Sequence, residues 1–235
     1  MAFSCTIPYF APPTFEDIKA SQNMVGESSG RRIVQVGFFT AKTMLFVKEC
    51  ANIPVPTVYC LFSKKEEHDH QVNYIIMETV QGQTLLSLWS TLTTGHKTAI
   101  SRQLRGSFDE LRKIPSPGCY GSLAFALKYQ YNCAPEIHQK AEYYRRVLPV
   151  VLRGDPTSFS HADFQRKNLI LRPDGTVVMV DWEAAGWYPP YWESAMAMFA
   201  CGRWEDDWHA WVAQILDEHP NECAWMVMIR NELWS

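Results

Sequence analysis

The chain of 235 residues carries 22 lysines and arginines against 25 aspartates and glutamates, and this net charge of −3 argues against an electrostatic nucleic-acid binder. Hydrophobic residues make up 47% of the chain, which favours a folded globular protein over a disordered one. The sequence shows neither a membrane-length apolar run nor a secretory leader, and its seven cysteines form no C-x-x-C pair. We therefore expect a soluble, cytoplasmic protein with reduced thiols that contacts neither nucleic acid nor a membrane.

The first 80 residues predict a small β-rich unit with one helix. Residues 1–20 are rich in proline and are typical of an extended arm, and GESSG at 26–30 indicates a turn. Thr40 is a candidate N-cap for a helix that extends to about residue 51. Runs of β-branched and aromatic residues predict strands at 31–39, 57–62 and 72–78. The charged segment KKEEHDH would form a solvated loop between the last two strands.

The remainder of the chain predicts a larger, mainly helical unit. Apolar residues recur at helical spacing from about His96 to Ile114, and Pro115 ends that pattern. Helices are predicted at 83–89, 96–114, 139–152, 191–201, 204–218 and 222–234. We expect a β-rich N-terminal lobe over residues 1–80, a helical C-terminal lobe over residues 81–235, and a hinge where they meet.

Two polar segments in the C-terminal lobe have the spacing that phosphoryl transfer requires. The first is HADFQRKN at 161–168, of the form H-x-D-x-x-x-x-N, and the second is DWE at 181–183, after an apolar strand. Short apolar strands around Pro173-Asp174-Gly175 predict a hairpin, which would bring Asn168 and Asp181 together. One carboxylate could then orient an acceptor proton, while an amide oxygen and a second carboxylate hold Mg²⁺ against nucleotide phosphates. The combination predicts a protein-kinase-like fold.

Long stretches of the chain resemble the fungal branch of the aminoglycoside-phosphotransferase and choline-kinase-like superfamily. They include SHADFQRKNLILRPDGTVVMVDWEAAGWYPPYWE, YIIMETVQGQTLLSLW and FACGRWEDDWHAWVAQILDEHPNE. The resemblance implies an α+β, protein-kinase-like fold of two lobes, with a reduced N-lobe and an ATP site in the cleft. It implies Asp163 as the catalytic base, and we expect His161 and Arg166 to support the catalytic loop. Asn168 and Asp181 would be the Mg²⁺ ligands.

The resemblance also predicts how the nucleotide is held, and the chain departs from the family there. The adenine ring would be bound by the backbone of the hinge residues Met77, Glu78, Thr79 and Val80. In the family, the strand matching RRIVQVG is followed by a strand with a phosphate-clamping lysine and a helix with its glutamate partner. Here that segment is missing, and Lys42 is either a displaced clamp lysine or an ordinary solvated residue. A second shortening, between Leu123 and Lys140, trims the lid over the acceptor site.

An aromatic cluster follows the second polar segment. It either lines an apolar substrate pocket or packs beneath the metal-binding loop. Its predicted pocket residues are Trp182, Glu183, Trp187, Tyr188 and Trp192.

Three functions remain open at this stage. The first is an ATP- and Mg²⁺-dependent phosphotransferase that acts on a hydroxyl or amine of a small molecule. The second is an enzyme of fungal secondary metabolism that needs neither cofactor and uses Asp163 or His161 as acid or base for a cyclisation, isomerisation or elimination. The third is a non-catalytic, pseudokinase-like binding protein. The acceptor is not identified, and the oligomeric state is open, with a dimer as one alternative.

Overall fold

The structure of the protein, a computed structural model, confirms the α+β architecture. It describes residues 24–28, 31–36, 38–65, 71–116, 142–143, 146–152, 156–201 and 205–233. The predicted extended arm, most of the predicted charged loop and the segment between Leu123 and Lys140 lie outside the described residues. None of the helices that the structure describes is long and apolar enough to cross a membrane.

An antiparallel sheet forms the N-terminal part of the described chain. Its strands are β1 (Met24–Ser28), β2 (Arg31–Val36), β3 (Val58–Lys65) and β4 (Gln71–Glu78). They lie in the order β1-β2-β4-β3, so β2 pairs with β4 rather than with the strand that follows it in sequence. Between β2 and β3 the chain forms helix α1 (Phe38–Cys50), which begins after a single intervening residue.

Three boundaries in this part differ from the sequence predictions. Residues 26–28, expected in a turn, pair with β2, and the bulge next to Gly26 accommodates a glycine within the strand. Residues 38–39, expected at the end of a strand, begin α1 instead. Residues 64–65, expected in the charged loop, continue β3 because β4 offers them backbone partners.

Helix α1 joins the N-terminal sheet to the rest of the molecule. Its Met44 and Val47 side chains are 2% and 0% exposed, and they belong to the same apolar core as Met179 and Trp182. Full burial of such side chains contributes about 1.5–3 kcal/mol each, so packing against this core stabilises the helix. The helix therefore lies against the turn that follows Asp181.

The C-terminal part is mainly helical and contains two further small sheets. Its helices are α2 (Leu85–Leu88), α3 (Thr94–Leu111), α4 (146–151), α5 (Trp192–Ala200), α6 (Trp208–Ile215) and α7 (Pro220–Leu233). Its strands are β5 (Gln83–Thr84), β6 (Ser158–Ser160), β7 (Leu169–Leu171), β8 (Val177–Met179) and β9 (Gly186–Tyr188). A helix is present at each predicted position. The pair β6-β9 is not predicted, because three residues are too few to show an alternating pattern.

Aromatic side chains form the core beneath the 161–168 loop. The rings of Phe108, in α3, and Phe164, in the loop, meet edge to face with centroids 4.9 Å apart. Trp208, in α6, contacts Trp89 in the same manner at 4.7 Å and lies 5.7 Å from Phe164. Such pairs contribute about 0.5–1.5 kcal/mol each beyond their buried area. The rings of Trp89, Phe108 and Trp208 therefore form a rigid aromatic platform on which the loop rests.

Candidate active site

The predicted hairpin brings the two polar segments to one end of a sheet. Strands β7 and β8 are antiparallel, with Leu169 opposite Met179. The Val180 N–H donates to the carbonyl oxygen of Asn168 over 2.9 Å, which extends the ladder by one position. Asn168 and Asp181 therefore lie at the same end of the hairpin, as the sequence predicts.

Three side chains hold the carboxylate of Asp163. Gln165 Nε2 donates to Oδ1, Asn168 Nδ2 donates to Oδ2 over 2.7 Å, and Lys167 Nζ lies 3.5 Å from Oδ2. The same Asn168 nitrogen donates to the Asp163 carbonyl oxygen over 3.0 Å. Both of these partners can only accept, so the amide nitrogen must face Asp163 and the Oδ1 atom of Asn168 faces away from it.

His161 is buried beside Asp163 as a neutral imidazole. Its Nε2 lies 3.0 Å from the Val180 carbonyl oxygen, and its Nδ1 accepts the Asp163 N–H over 3.3 Å. A carbonyl only accepts and an amide N–H only donates, so the ring proton is on Nε2. Burial lowers the pKa of His161, which keeps the ring uncharged. The ring also meets Trp182 edge to face at 4.6 Å, so these contacts tie the loop to the residues on both sides of Asp181.

A buried acid that the sequence reasoning missed lies behind the same loop. Glu193, in the first turn of α5, is 2% exposed, and its Oε2 accepts the Ala162 N–H over 3.1 Å. Ala162 has a φ of 64°, the left-handed region that residues other than glycine seldom adopt. Burial raises the pKa of Glu193 to about 7, although the N–H groups of Ala162 and His161 and the charge of Arg112 oppose the rise. The signal in the sequence is a single acid within the apolar segment WESAMAMFA.

Asp181 combines a strained backbone with an exposed side chain. Its φ of 66° and ψ of 64° are left-handed, a conformation that costs about 1–3 kcal/mol and persists only when neighbours impose it. Trp182 is one such neighbour: its ring is fully buried, and its Nε1–H donates to the Met179 carbonyl oxygen over 3.0 Å. Glu183 is exposed as well. The chain thus fixes the Asp181 backbone while it leaves the carboxylate accessible.

Arg166 connects the loop to the aromatic platform. Its NH1 donates to Asp206 Oδ2 over 2.6 Å. Its guanidinium carbon lies 5.7 Å from the ring of Trp89 and 5.6 Å from that of Trp208. Cation–π contacts of this kind contribute about 0.5–1 kcal/mol at partly exposed sites, so Arg166 helps to hold the loop on its platform.

The predicted hinge lies at the end of β4. Met77 and Val80 are buried, and the backbone N–H of Glu78 donates to the Thr57 carbonyl oxygen over 2.8 Å. The Glu78 carboxylate accepts the Thr57 N–H over 3.1 Å through Oε2 and pairs with Arg172 through Oε1. The side chain of Glu78 therefore connects the predicted hinge to the residue before β3 and to the residue after β7. A nucleotide site at the backbone of residues 77–80 stays a prediction.

The aromatic cluster makes packing contacts. The Trp187 ring lies 5.5 Å from that of Phe46 and 5.0 Å from that of Phe159. Tyr188 stacks on Trp192, with ring centroids 5.1 Å apart and planes within 14° of parallel. These contacts support the packing interpretation of the cluster, and a substrate pocket at these residues stays a prediction.

The donor set at the end of the hairpin suits Mg²⁺. Asn168 Oδ1 and the Asp181 carboxylate are hard oxygen ligands of the kind that Mg²⁺ prefers. Within the part of the chain that the structure describes, no cluster of three His, Cys, Asp or Glu side chains is arranged to hold a metal alone. A Mg²⁺ ion at Asn168 and Asp181 would therefore need water and substrate phosphate oxygens to complete its ligands, as is usual for this ion.

The hinge offers a suitable polar atom to a nucleotide. The Thr79 hydroxyl is buried and has no hydrogen-bond partner among the described residues. Buried polar groups are normally hydrogen-bonded, so a ligand atom that came within reach of this hydroxyl would satisfy it. Lys42, the candidate clamp residue, lies in α1, and its side chain lies outside the described part.

Residues 39–222 match a family described as the phosphotransferase enzyme family. The chain belongs to this family. The match includes the hinge, the 161–168 loop and the hairpin that ends at Asp181. No curated protein sequence matches the chain at a significant level.

Solved aminoglycoside phosphotransferases share the fold of this family member. The gentamicin complex of APH(2'')-IIa superposes with a TM-score of 0.60 at 16% identity, over 86% of this chain and 75% of that one. APH(3'')-Id from Streptomyces rimosus ATCC10970, in complex with ADP and streptomycin, superposes with a TM-score of 0.56 at 16% identity, over 87% of this chain and 86% of that one. The GDP complex of wild-type aminoglycoside 2'-phosphotransferase-IIIa superposes with a TM-score of 0.51 at 14% identity, over 86% of this chain and 83% of that one. The likeness establishes an α+β, kinase-like fold.

Proposed function

We propose that this member of the phosphotransferase enzyme family transfers the γ-phosphate of ATP, with Mg²⁺, to a hydroxyl or amine of a small molecule. The observation that carries the proposal is the convergence of Asp163, Asn168 and Asp181 around the end of the β7-β8 hairpin. The similar enzymes with bound ADP or GDP support a nucleotide in the cleft.

Asp163 is the base in this proposal. Its carboxylate accepts the acceptor proton as the acceptor oxygen or nitrogen forms a bond to the γ-phosphorus. The bond between that phosphorus and the β-γ bridging oxygen breaks, and ADP leaves with the electron pair. Gln165 and Asn168 orient the carboxylate, since each donates to a different oxygen. Phosphoryl transfer depends almost entirely on positioning and charge, so this fixed geometry is the main contribution of the loop.

Asn168 and Asp181 are the proposed Mg²⁺ ligands. When bound, the ion would neutralise charge on the phosphate oxygens. The chain contributes two oxygen donors with little freedom to move, because Asp163 fixes the Asn168 amide and the left-handed turn fixes the Asp181 backbone. His161 and Arg166 are positioning residues, which tie the loop to the hairpin and to the aromatic platform.

The hinge residues 77–80 are the proposed adenine site, with the Thr79 hydroxyl as an additional hydrogen-bonding group. We propose that the phosphate clamp of the family is reduced in this chain, because β2 leads into α1 after one residue. Lys42, the fifth residue of that helix, is the candidate replacement. The segment between Leu123 and Lys140 is the proposed shortened acceptor lid.

The same direct connection from β2 to α1 favours a second candidate function. An enzyme that has lost its phosphate clamp could catalyse an ATP-independent cyclisation, isomerisation or elimination, as in fungal secondary metabolism. Both ring nitrogens of His161 are occupied by backbone groups, so Asp163 would be the acid or base of such an enzyme. A non-catalytic binding protein is the remaining alternative.

Two experiments separate these functions. The first is a calorimetric titration of the protein with ATP and Mg²⁺, and the second is an assay of ADP formation with a panel of small hydroxyl and amine acceptors. The phosphotransferase proposal predicts that the protein binds MgATP and that Asp163→Asn keeps this binding. It also predicts that Asp163→Asn lowers turnover by about 10²–10⁴-fold, the usual contribution of a general base. Glu110→Gln, on the exposed end of α3, is the matched control and should leave both unchanged.

Two results would contradict the proposal. The first is a wild-type protein that binds no nucleotide. If that protein also converted a metabolite without ATP, the result would favour the ATP-independent enzyme. The second is undiminished turnover in Asp163→Asn, which would remove Asp163 from the reaction.

A further inference from the structure

We infer that Lys167 binds the terminal phosphate of the nucleotide and so supplies a positive charge from the C-terminal lobe. The inference rests on the proposed function, since it needs a nucleotide phosphate next to Asp163. In the family, a lysine of the N-terminal lobe clamps the nucleotide phosphates. Here we assign a phosphate-binding charge to the 161–168 loop instead.

The geometry of the loop carries the inference. Lys167 lies in the 3-10 turn Arg166–Asn168, directly before a proposed Mg²⁺ ligand. Its Nζ lies 3.5 Å from Asp163 Oδ2, and its side chain is 51% exposed. The ammonium group is therefore beside the proposed base, on a side chain that is half exposed. A phosphoryl group that reacts with an acceptor held by Asp163 must come close to it.

The other basic side chains described near the loop have different partners. Arg166 pairs with Asp206 and lies over the aromatic platform. Arg172 pairs with Glu78 at the hinge. Among the side chains that the structure describes, Lys167 is the cation in contact with Asp163.

The ion pair with Asp163 does not by itself explain this placement. A pair whose lysine is half exposed is screened by water, so its contribution to the stability of the fold is small. A lysine ammonium has three donors on a flexible stem and binds phosphate as a compact charge. It can therefore contact Asp163 and a phosphate oxygen together, and it can follow that oxygen as the transferred group moves toward the acceptor.

Nucleotide titration tests the inference without a known acceptor. ATP and ADP, each with Mg²⁺, are titrated into the wild-type protein and into Lys167→Met, Lys167→Arg and Lys113→Met. Lys113 is an exposed lysine paired with Glu110 at the end of α3 and serves as the matched control. We expect Lys167→Met to bind ATP about tenfold more weakly, about 1.4 kcal/mol, and to bind ADP as the wild type does. Lys167→Arg should keep most of the ATP affinity, and Lys113→Met should match the wild type for both nucleotides.

The outcomes distinguish the inference from the proposed function. If Lys167→Met binds ATP as tightly as the wild type, the inference is wrong and the proposed function stands. If ATP and ADP are weakened equally, Lys167 does not act on the terminal phosphate and the inference is again wrong. If the wild-type protein binds neither nucleotide, the proposed function fails and the inference fails with it. Thermal unfolding at an unchanged temperature confirms that Lys167→Met is folded.

Discussion

Replacement of Glu193 by glutamine tests the buried acid behind the catalytic loop. Burial raises the pKa of this carboxyl from its ordinary value of 4.5 to about 7 in the folded protein. The folded state therefore holds the proton more tightly than the unfolded chain does. The stability that this proton provides is complete below pH 4.5 and is lost as the pH rises through about 7.

The size of the effect follows from the same two values. One pKa unit corresponds to about 1.4 kcal/mol, so the full loss is about 3 kcal/mol, of which about 2 kcal/mol falls between about pH 5.5 and pH 8. Glu193→Gln keeps the shape of the side chain but cannot ionise. The free energy of unfolding of the wild type should therefore fall by about 2 kcal/mol relative to the variant across this range.

Urea unfolding followed by tryptophan fluorescence at a series of pH values measures this difference directly. Other titratable groups, His161 among them, are present in both proteins, so their contributions largely cancel in the difference between the two free energies of unfolding. Glu222→Gln is the control, since Glu222 also lies in the first turn of a helix but is only partly buried. Its pH profile should follow that of the wild type. Parallel profiles for wild type and Glu193→Gln would show that the pKa of the buried carboxyl is not raised in the folded protein.

Two further substitutions test local parts of the fold by urea unfolding. Thr93→Ala removes the side chain that accepts the His96 N–H over 3.2 Å at the start of α3, and it should lower stability by about 1 kcal/mol. A variant as stable as the wild type would mean that this cap is not formed. Trp182→Phe leaves the buried Met179 carbonyl oxygen without its indole donor, and it should cost about 1–3 kcal/mol. No loss there would mean that the turn after Asp181 does not depend on that hydrogen bond.

The sequence predicts those parts of the fold that short-range signals encode. The hairpin before Asp181 is such a case: Gly175 adopts a φ of 85°, and the Gly175 N–H donates to the Arg172 carbonyl oxygen over 3.0 Å. Helix α3 is another, because Ile100 and Leu104 follow the helical period and both are buried. In each case the residues that determine the element lie within it.

Features that depend on distant partners could not be predicted in the same way. The strand β1 contains glycine and serine and is stabilised by its pairing with β2, not by strand propensity. The role of Glu193 depends on a loop 31 residues away, and no local pattern indicates that its oxygen meets the Ala162 N–H. The opposed directions of Arg166 and Lys167, toward the platform and toward Asp163, likewise follow from a short turn that only the structure reveals.

A crystal structure of the protein with ADP and Mn²⁺, with the metal located by anomalous scattering, tests directly whether Asn168 and Asp181 share a metal ion. We expect a metal bound to Asn168 Oδ1 and the Asp181 carboxylate at about 2.0–2.3 Å, with a nucleotide phosphate among its ligands and the adenine ring at the hinge. A metal bound elsewhere, or a nucleotide that leaves residues 168 and 181 without a shared ion, would contradict this expectation.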